Sequence, residues 1–367
     1  MSRKKNSRLW SRLRLLCCSG LDLMSVMPEA FALIHELIPN AASAIFLTSH
    51  EGVPHGFYHE DSPEAVRNLF LSEPQLFQGP NEYNVFRLVG APGTAKIGQL
   101  LEPPSGFFSS NTYQLLVRAS GHHHTLDARL EVDGRKAGLL TLYRESGRGF
   151  DRQDADDIAR VAVHFEHALR AGALPADLSG SAIEREAIII ADTGGRPLFI
   201  SPAASDILAR LPLAGAQWPD RRQLPTFCMH LIELLRDGER HPWQLPGRTI
   251  ALPGGALQAC AHWLQPAGGA PASAAVASDG QGGLVGITLK QNVPLPLQVW
   301  RKLSQVALSP QQMEVAFWMA TGGGRDVARS RMAISEAVLR DCVKSIYDTL
   351  GCSSQEEMLA TLLAAPG

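Results

Sequence analysis

Bulk positive charge is the first thing this chain lacks. Its 34 Lys+Arg stand against 36 Asp+Glu, a net charge of −2 over 367 residues. No general electrostatic pull toward nucleic acid follows from such a balance. Cysteine is also scarce. Cys17, Cys18, Cys228, Cys260, Cys342 and Cys352 form no CxxC pair, which argues against a disulfide framework or a zinc site and fits a reducing cytoplasm. No apolar run approaches the roughly 18–20 residues that span a bilayer, so no membrane partner is expected.

Catalytic signatures are missing too. No GxSxG, HExxH or GxGxxG pattern occurs. Asp192-Thr193-Gly194 mimics an aspartic-protease loop, but two facing loops are needed to share a proton, and a hairpin turn is the better reading. His122, His123 and His124 are adjacent, and neighbours at the start of a strand point to opposite faces, so they chelate poorly even with His164 and His167 nearby. Gly322-Gly323-Gly324 lacks the Lys-Ser/Thr of a phosphate loop and reads as a helix break. The expectation is therefore no enzyme, no cofactor and no metal.

What is present is an ordinary globular composition, 45% hydrophobic and 19% charged, in a chain long enough for two or three domains. Residues 1–23 stand apart. Arg3, Lys4, Lys5, Arg8, Arg12 and Arg14 crowd their first part without an acid. They read as a disordered basic tail, with a start at Met24 or Met27, or a basic arm touching phosphate or membrane, as alternatives.

The first globular block spans 24–171. Pro28–Ile38 carries a helical apolar stripe, Ala44–Thr48 is of strand length, and Pro63–Leu71 reads as a helix with Ser62 as its cap. Leu126, Ala128, Leu130 and Val132 alternate with Asp127, Arg129, Glu131 and Asp133, the pattern of a half-buried strand. Asp133-Gly134 signals a hairpin, Ala137–Tyr143 is the returning strand, and Asp151 caps a helix with Ile158, Val161, Ala162, Phe165 and Leu169 on one face. The segment LDARLEVDGRKAGLLTLYRESGRGFDRQDADDIARVAVHFEHAL resembles the C-terminal half of a GAF-type sensor domain; another α+β sensor fold is the alternative.

Ala171–Ser181 reads as a linker. A second block follows over 182–293, with strands at Ala187–Ala191, Leu198–Ser201, Ala256–Leu264 and Leu284–Lys290, a short helix at Pro202–Leu211, and a flexible hairpin loop at Pro266–Gly283. IIIADTGGRPLFISPAASDILA and GLVGITLK resemble a PAS-type domain. Neither block alternates strand and helix regularly, so no phosphoacceptor receiver domain is expected.

From Leu308 the pattern is wholly helical. Ser309 caps a helix with Pro310 in its first turn, Gly322–Gly324 breaks it, and Asp326–Met332 is a second helix. Ala333–Ser335 is a tight turn. Ser335 caps a third helix bearing Leu339, Val343, Ile346 and Leu350 on one stripe, Gly351 ends it, and Ser354–Leu363 makes a fourth. LSPQQMEVAFWMATG and ISEAVLRDCVKSIYDTLGCSSQEEML are similar to the LuxR/GerE helix-turn-helix, through Leu308-Ser309-Pro310, Glu314-Val315, Ile334-Ser335 and Leu350–Ser354. Residues 300–367 are thereby assigned to a LuxR-type module. The whole chain is expected to be multidomain α+β: two antiparallel-sheet, sensor-like domains followed by an all-α four-helix helix-turn-helix.

The resemblance implies double-stranded DNA as partner, read by Arg340, Asp341 and Lys344 near the start of the third helix. An arginine fork there suits guanine, and a carboxylate can accept from cytosine. Ser335 would present the helix start, and Arg329, Arg331 and Lys344 would hold phosphates. It also implies a homodimer through Met358, Leu359, Leu362 and Leu363, contact with RNA polymerase, and a small-molecule signal in the N-terminal blocks. Solvated surface charge and simple core packing are the competing readings of these residues. The departures are real. Gln311-Gln312 replaces an Arg-Glu pair, Val338 and Cys342 replace Thr and His, and residues 308–367 carry five basic against seven acidic side chains. DNA-binding modules gain much affinity from phosphate neutralisation. The alternative function is a signalling or scaffold protein whose degenerate helix-turn-helix makes protein contacts.

Overall fold

The computed structural model describes residues 3–49, 51, 54–90, 95–172, 180–211, 222–237, 245–264 and 283–364. It is α+β, with two separate antiparallel sheets and a C-terminal helical module. Among the described residues no helix is long and apolar enough to cross a membrane.

The N-terminal residues differ from the disordered tail expected of them. Arg3–Cys17 is a helix, α1. Leu9, Leu13 and Leu16 recur at i, i+4 and i+7 and are buried, so one face has a core to join. Its arginines are not a free arm. The guanidinium of Arg8 donates to the carbonyl of Val306 (3.0 Å) and that of Arg12 to the carbonyl of Ser304. Both carbonyls lie at the C-terminal end of a later helix, where backbone acceptors are unpaired and cations are favoured. Arg14 pairs with Glu314 of the C-terminal module.

Helix α2, Leu23–Leu37, starts earlier than its stripe implies. Asp22 caps it by accepting from the amide of Met24 (2.8 Å), and Pro28 lies inside. Burial of Leu23, Met24, Val26 and Met27, worth about 1.5–3 kcal/mol each, outweighs the roughly 3 kcal/mol cost of an internal proline.

The first sheet contains β1 (Ala42–Thr48), β2 (Pro54–His59), β3 (His124–Val132) and β4 (Arg135–Arg144) in the order β2-β1-β4-β3. Asp133 and Gly134, at φ 52° and 73°, make the expected hairpin between β3 and β4. Between β2 and β3 the chain forms α3 (Glu64–Ser72), α4 (Val85–Gly90) and several single helical turns. The cap of α3 is Pro63 without a side-chain bond, so Ser62 does not cap it. Helix α5, Arg152–Ala171, opens on a capping box between Asp151 and Asp154.

Period-two alternation sorts the first sheet's side chains cleanly. Ile45, Leu47, Leu126, Ala128, Leu130, Leu140 and Leu142 join the core that includes α2 and α5. Phe46, Phe57, His59, Thr125, Leu139, Thr141 and Tyr143 line a cavity on the opposite face, beneath α3, α4 and the helical turns.

The second sheet runs β5 (Ala182–Asp192), β6 (Pro197–Ile200), β7 (Gly247–Leu252), β8 (Gly255–Leu264) and β9 (Leu284–Val293), in the order β6-β5-β9-β8-β7. Helices α6 (Pro202–Ala209) and α7 (Thr226–Asp237) supply Ile207, Phe227 and Leu231 to its core, against Ile189, Ile287 and Leu289. Most of the expected linker and nearly all of the Pro266–Gly283 loop lie outside the described residues.

Helix α8, Leu295–Gln305, leads from β9 into the C-terminal module of α9 (Pro310–Trp318), α10 (Gly324–Met332), α11 (Glu336–Leu350) and α12 (Gln355–Leu363). The three regions are not beads on a string. One continuous core holds residues of α1, α2, α5, the first sheet, α8 and the module. Trp300 of α8 donates its indole N–H to the carbonyl of Arg12 (3.2 Å). The Ser25 hydroxyl of α2 donates to the carbonyl of Gly255 (2.7 Å), and Arg301 pairs with Glu29, which ties the β7–β8 turn and α8 to α2.

Candidate functional site

Two features are candidates: the outward face of the C-terminal module and the cavity in the first sheet.

The module is built by local signals. Ser309 Oγ accepts from the amide of Gln312 (3.3 Å), and Gln312 Oε1 accepts from the amide of Ser309 (2.8 Å), a reciprocal capping box. Gln312 also donates to the Ser345 hydroxyl of α11 (2.8 Å). Its neutral amide thus closes the box and ties α9 to α11. Gly322 and Gly324, at φ 108° and 62°, turn the chain from α9 into α10, a conformation that costs glycine little. Ala333 takes φ 49° at the end of α10, and Ser335 Oγ accepts from the amide of Val338 (3.3 Å) to start α11.

Leu339, Cys342, Val343 and Ile346 of α11 are buried. Arg340, Asp341 and Lys344 are exposed, and among the described residues no ion pair engages the two cations. Arg329 and Arg331 are also exposed but already in use. Arg329 pairs with Glu336 (3.0 Å) and Asp326 (3.7 Å), while Arg331 stacks over the Trp318 ring at 4.3 Å. Met358 and Leu362 are buried in the core, Leu359 packs partly against it, and Leu363 is exposed.

The cavity was not foreseen. It has a volume of about 90 Å³. Phe107, Tyr113, Val85, Leu88 and Val117 form a small second core that roofs it against Leu139. His59 stacks on Tyr143 at 5.4 Å, and the His122 ring is 5.1 Å from the same tyrosine. The amide of Asp61 donates to His59 Nδ1 (3.1 Å), so the neutral ring carries its proton on Nε2. Burial, then the nearby His122, pushes His59 down to about 4; burial also lowers His122 and raises the Tyr143 phenol. At neutral pH all three are uncharged.

The three adjacent histidines do diverge. His122 faces the cavity, His123 meets the Tyr113 hydroxyl (2.5 Å), and His124 bonds the carbonyl of Gly147 (3.1 Å). Asp127 departs from the solvated role its alternation implies. It is fully buried on β3, accepts from the amides of Gln99 (3.2 Å) and Leu100 (2.7 Å), and burial raises it to about 6.

No family model and no curated sequence matches the chain. Solved structures do show likeness. Vibrio cholerae VqmA, in a complex with ligand and DNA, is 13% identical at a TM-score of 0.27, covering 48% of this chain and 81% of that one. Escherichia coli SdiA is 11% identical at a TM-score of 0.29, covering 91% and 87%. The E. coli DhaR(N)–DhaL complex is 13% identical at 0.20, covering 79% and 91%. Likeness at this level transfers no residue roles.

Proposed function

We propose that the chain is a DNA-binding transcription regulator in which a small molecule held by the first sheet governs the C-terminal helix-turn-helix. The observation that carries the reading is α11. It is capped, anchored by one buried face, and presents Arg340, Asp341 and Lys344 outward. Cations on the free face near a helix start suit base edges and phosphates of a duplex.

Coupling has a physical route. The cavity lies on one face of the first sheet, α2 and α5 cover the other, and α1 and α8 continue that core into the module. A change in sheet packing therefore reaches α9 without crossing a flexible joint. The GAF-like and PAS-like readings of the two sheets, a homodimer, RNA polymerase as partner and a cytoplasmic setting belong to the same proposal. With Met358 and Leu362 in the core, a dimer contact on α12 falls to Leu359 and Leu363.

The acidic balance of the module supports the second reading, protein contact without DNA. Selection of the full chain against a randomised duplex pool at about 50 mM salt, followed by titration of the enriched duplexes, separates the two. Arg340→Ala is expected to cost about 1–3 kcal/mol and relax preference at one position; Lys344→Ala should weaken all duplexes alike and lower the salt slope by about one. Absence of duplex binding at low salt would leave the protein-contact reading standing.

A further inference from the structure

We infer that the first sheet's cavity takes a small, uncharged, planar molecule of about one ring, held along a polar edge by His122 Nδ1 and the Thr125 hydroxyl. The inference deepens the ligand-sensing half of the reading above and needs nothing from its DNA-binding half.

Two orphaned atoms carry it. Among the described residues, His122 Nδ1 and Thr125 Oγ1 have no hydrogen-bond partner; they are buried, on residues only 6% and 5% exposed, and both residues line the same cavity. An unpaired buried polar group costs about 1–3 kcal/mol, so such atoms normally have partners. Two at one cavity wall point to a partner that arrives from outside. The hydroxyl can donate or accept, and the imidazole nitrogen does either according to tautomer, so they match an edge such as a primary amide or a ring lactam.

The rest of the wall sets the class. Phe46, Phe57, Phe70, Phe107 and Tyr143 bring aromatic surface to it, and rings pack well against a planar guest. Among the described residues no carboxylate lines the cavity, and the one cation that does, Arg67, is on α3 at the lid. A charged guest would lose hydration without a matching buried charge. For size, a hydrophobic cavity of about 150 Å³ holds benzene, whereas a water's share of liquid is about 30 Å³. The volume of about 90 Å³ exceeds what one bridging water fills and falls short of the benzene figure, so one ring is the upper limit of size and enters with some outward movement of the lid.

Calorimetric titration of the full chain with benzamide, toluene, benzoate and benzylammonium tests this. Benzamide should bind at least tenfold more tightly than the other three. Thr125→Val, close to isosteric within a strand, should lose about tenfold for benzamide and leave toluene unchanged. It should also fold with an unreduced Tm, because it removes an unpaired hydroxyl. Leu139→Trp should abolish benzamide binding by filling the space. Tightest binding by a charged probe, or unchanged benzamide affinity in Thr125→Val, overturns the inference. So does absence of binding by every probe, which assigns the orphan atoms to water. No duplex is present, so these outcomes are separate from success or failure of DNA binding.

Discussion

The two sheets are built from similar material and put to different use. The first has both faces covered, α2 and α5 on one and a roofed, aromatic-walled cavity on the other. Among the described residues, the second is packed by helices on one face, and its other face is met by α2 only at the β7–β8 end. Its reverse carries Ile188, Phe199 and Leu284 in exposed positions, Phe199 at 69%. A sheet needs only one buried face to be stable, as antiparallel sheets commonly show. Roofing a second face costs chain and ordering entropy. The first sheet accepts that cost and gains an enclosed space with unpaired polar atoms, which is why the ligand site is placed there.

The largest effect that would break this comparison is at the roof. Phe107 is 1% exposed and packs against Tyr83, Phe108 and Tyr113. Phe107→Ala should destabilise by about 3–5 kcal/mol, the range for a fully buried aromatic. Denaturant unfolding measures it. A loss under 1 kcal/mol would mean that the roof is not an integral part of the fold.

The next effect is a pH dependence set by two groups of the first sheet, His59 at the cavity and the buried Asp127 on β3. His59 is held down to about 4 against an ordinary 6.5, so the unfolded chain binds more protons between those values. Stability from this group is present above 6.5 and lost as pH falls toward 4. Asp127, raised to about 6 from 3.8, acts oppositely: the folded state binds more protons, and stability grows as pH falls from 6 toward 3.8. His59→Phe keeps the stacked ring and removes the first effect. Relative to wild type it should therefore gain stability as pH drops from 6.5 to 4, whereas Asp127→Asn should lose it. Parallel pH profiles for wild type and His59→Phe would show that the lid leaves His59 hydrated.

How much of this was legible in the sequence varied with the kind of signal. Caps and turns written in a few residues were readable: Ser309-Pro310, Ser335, Gly351, Asp133-Gly134 and the Asp151 cap occur where local chemistry puts them. The alternation of β3 was read correctly as a strand but wrongly as half solvated. Thr125 and Asp127 are polar, and only the lid, contributed by residues from about 5 to 60 positions earlier in the chain, buries them. Helices α1 and α8 were missed for related reasons. Clustered arginines hid the Leu9/Leu13/Leu16 stripe, whose partners are distant in sequence, and Pro294 and Pro296 look like breakers yet stand at a helix start, where proline is tolerated. In the candidate interface the exposed face of α11 followed from helical period alone. The engagement of Arg329 by Glu336 and of Arg331 by Trp318 did not, because side-chain pairing across a turn depends on the angle between helices.

The smallest expected effect sharpens the comparison from the other side. Phe199 lies on edge strand β6, pairs through its backbone with Ile190, and leaves most of its ring in solvent. Phe199→Ala should change stability by no more than about 0.5 kcal/mol, the range for surface positions without a special role. Set against Phe107→Ala, the same chemical deletion then differs by several kcal/mol between two sheets of one chain, and burial alone accounts for it. Measurement at two protein concentrations adds a second reading. If Phe199→Ala is neutral when dilute but destabilising when concentrated, the ring is buried by self-association, because assembly stabilises the folded state by mass action. Equal effects at both concentrations keep the second sheet's outer face uncovered in solution, and leave the first sheet as the one with two working faces.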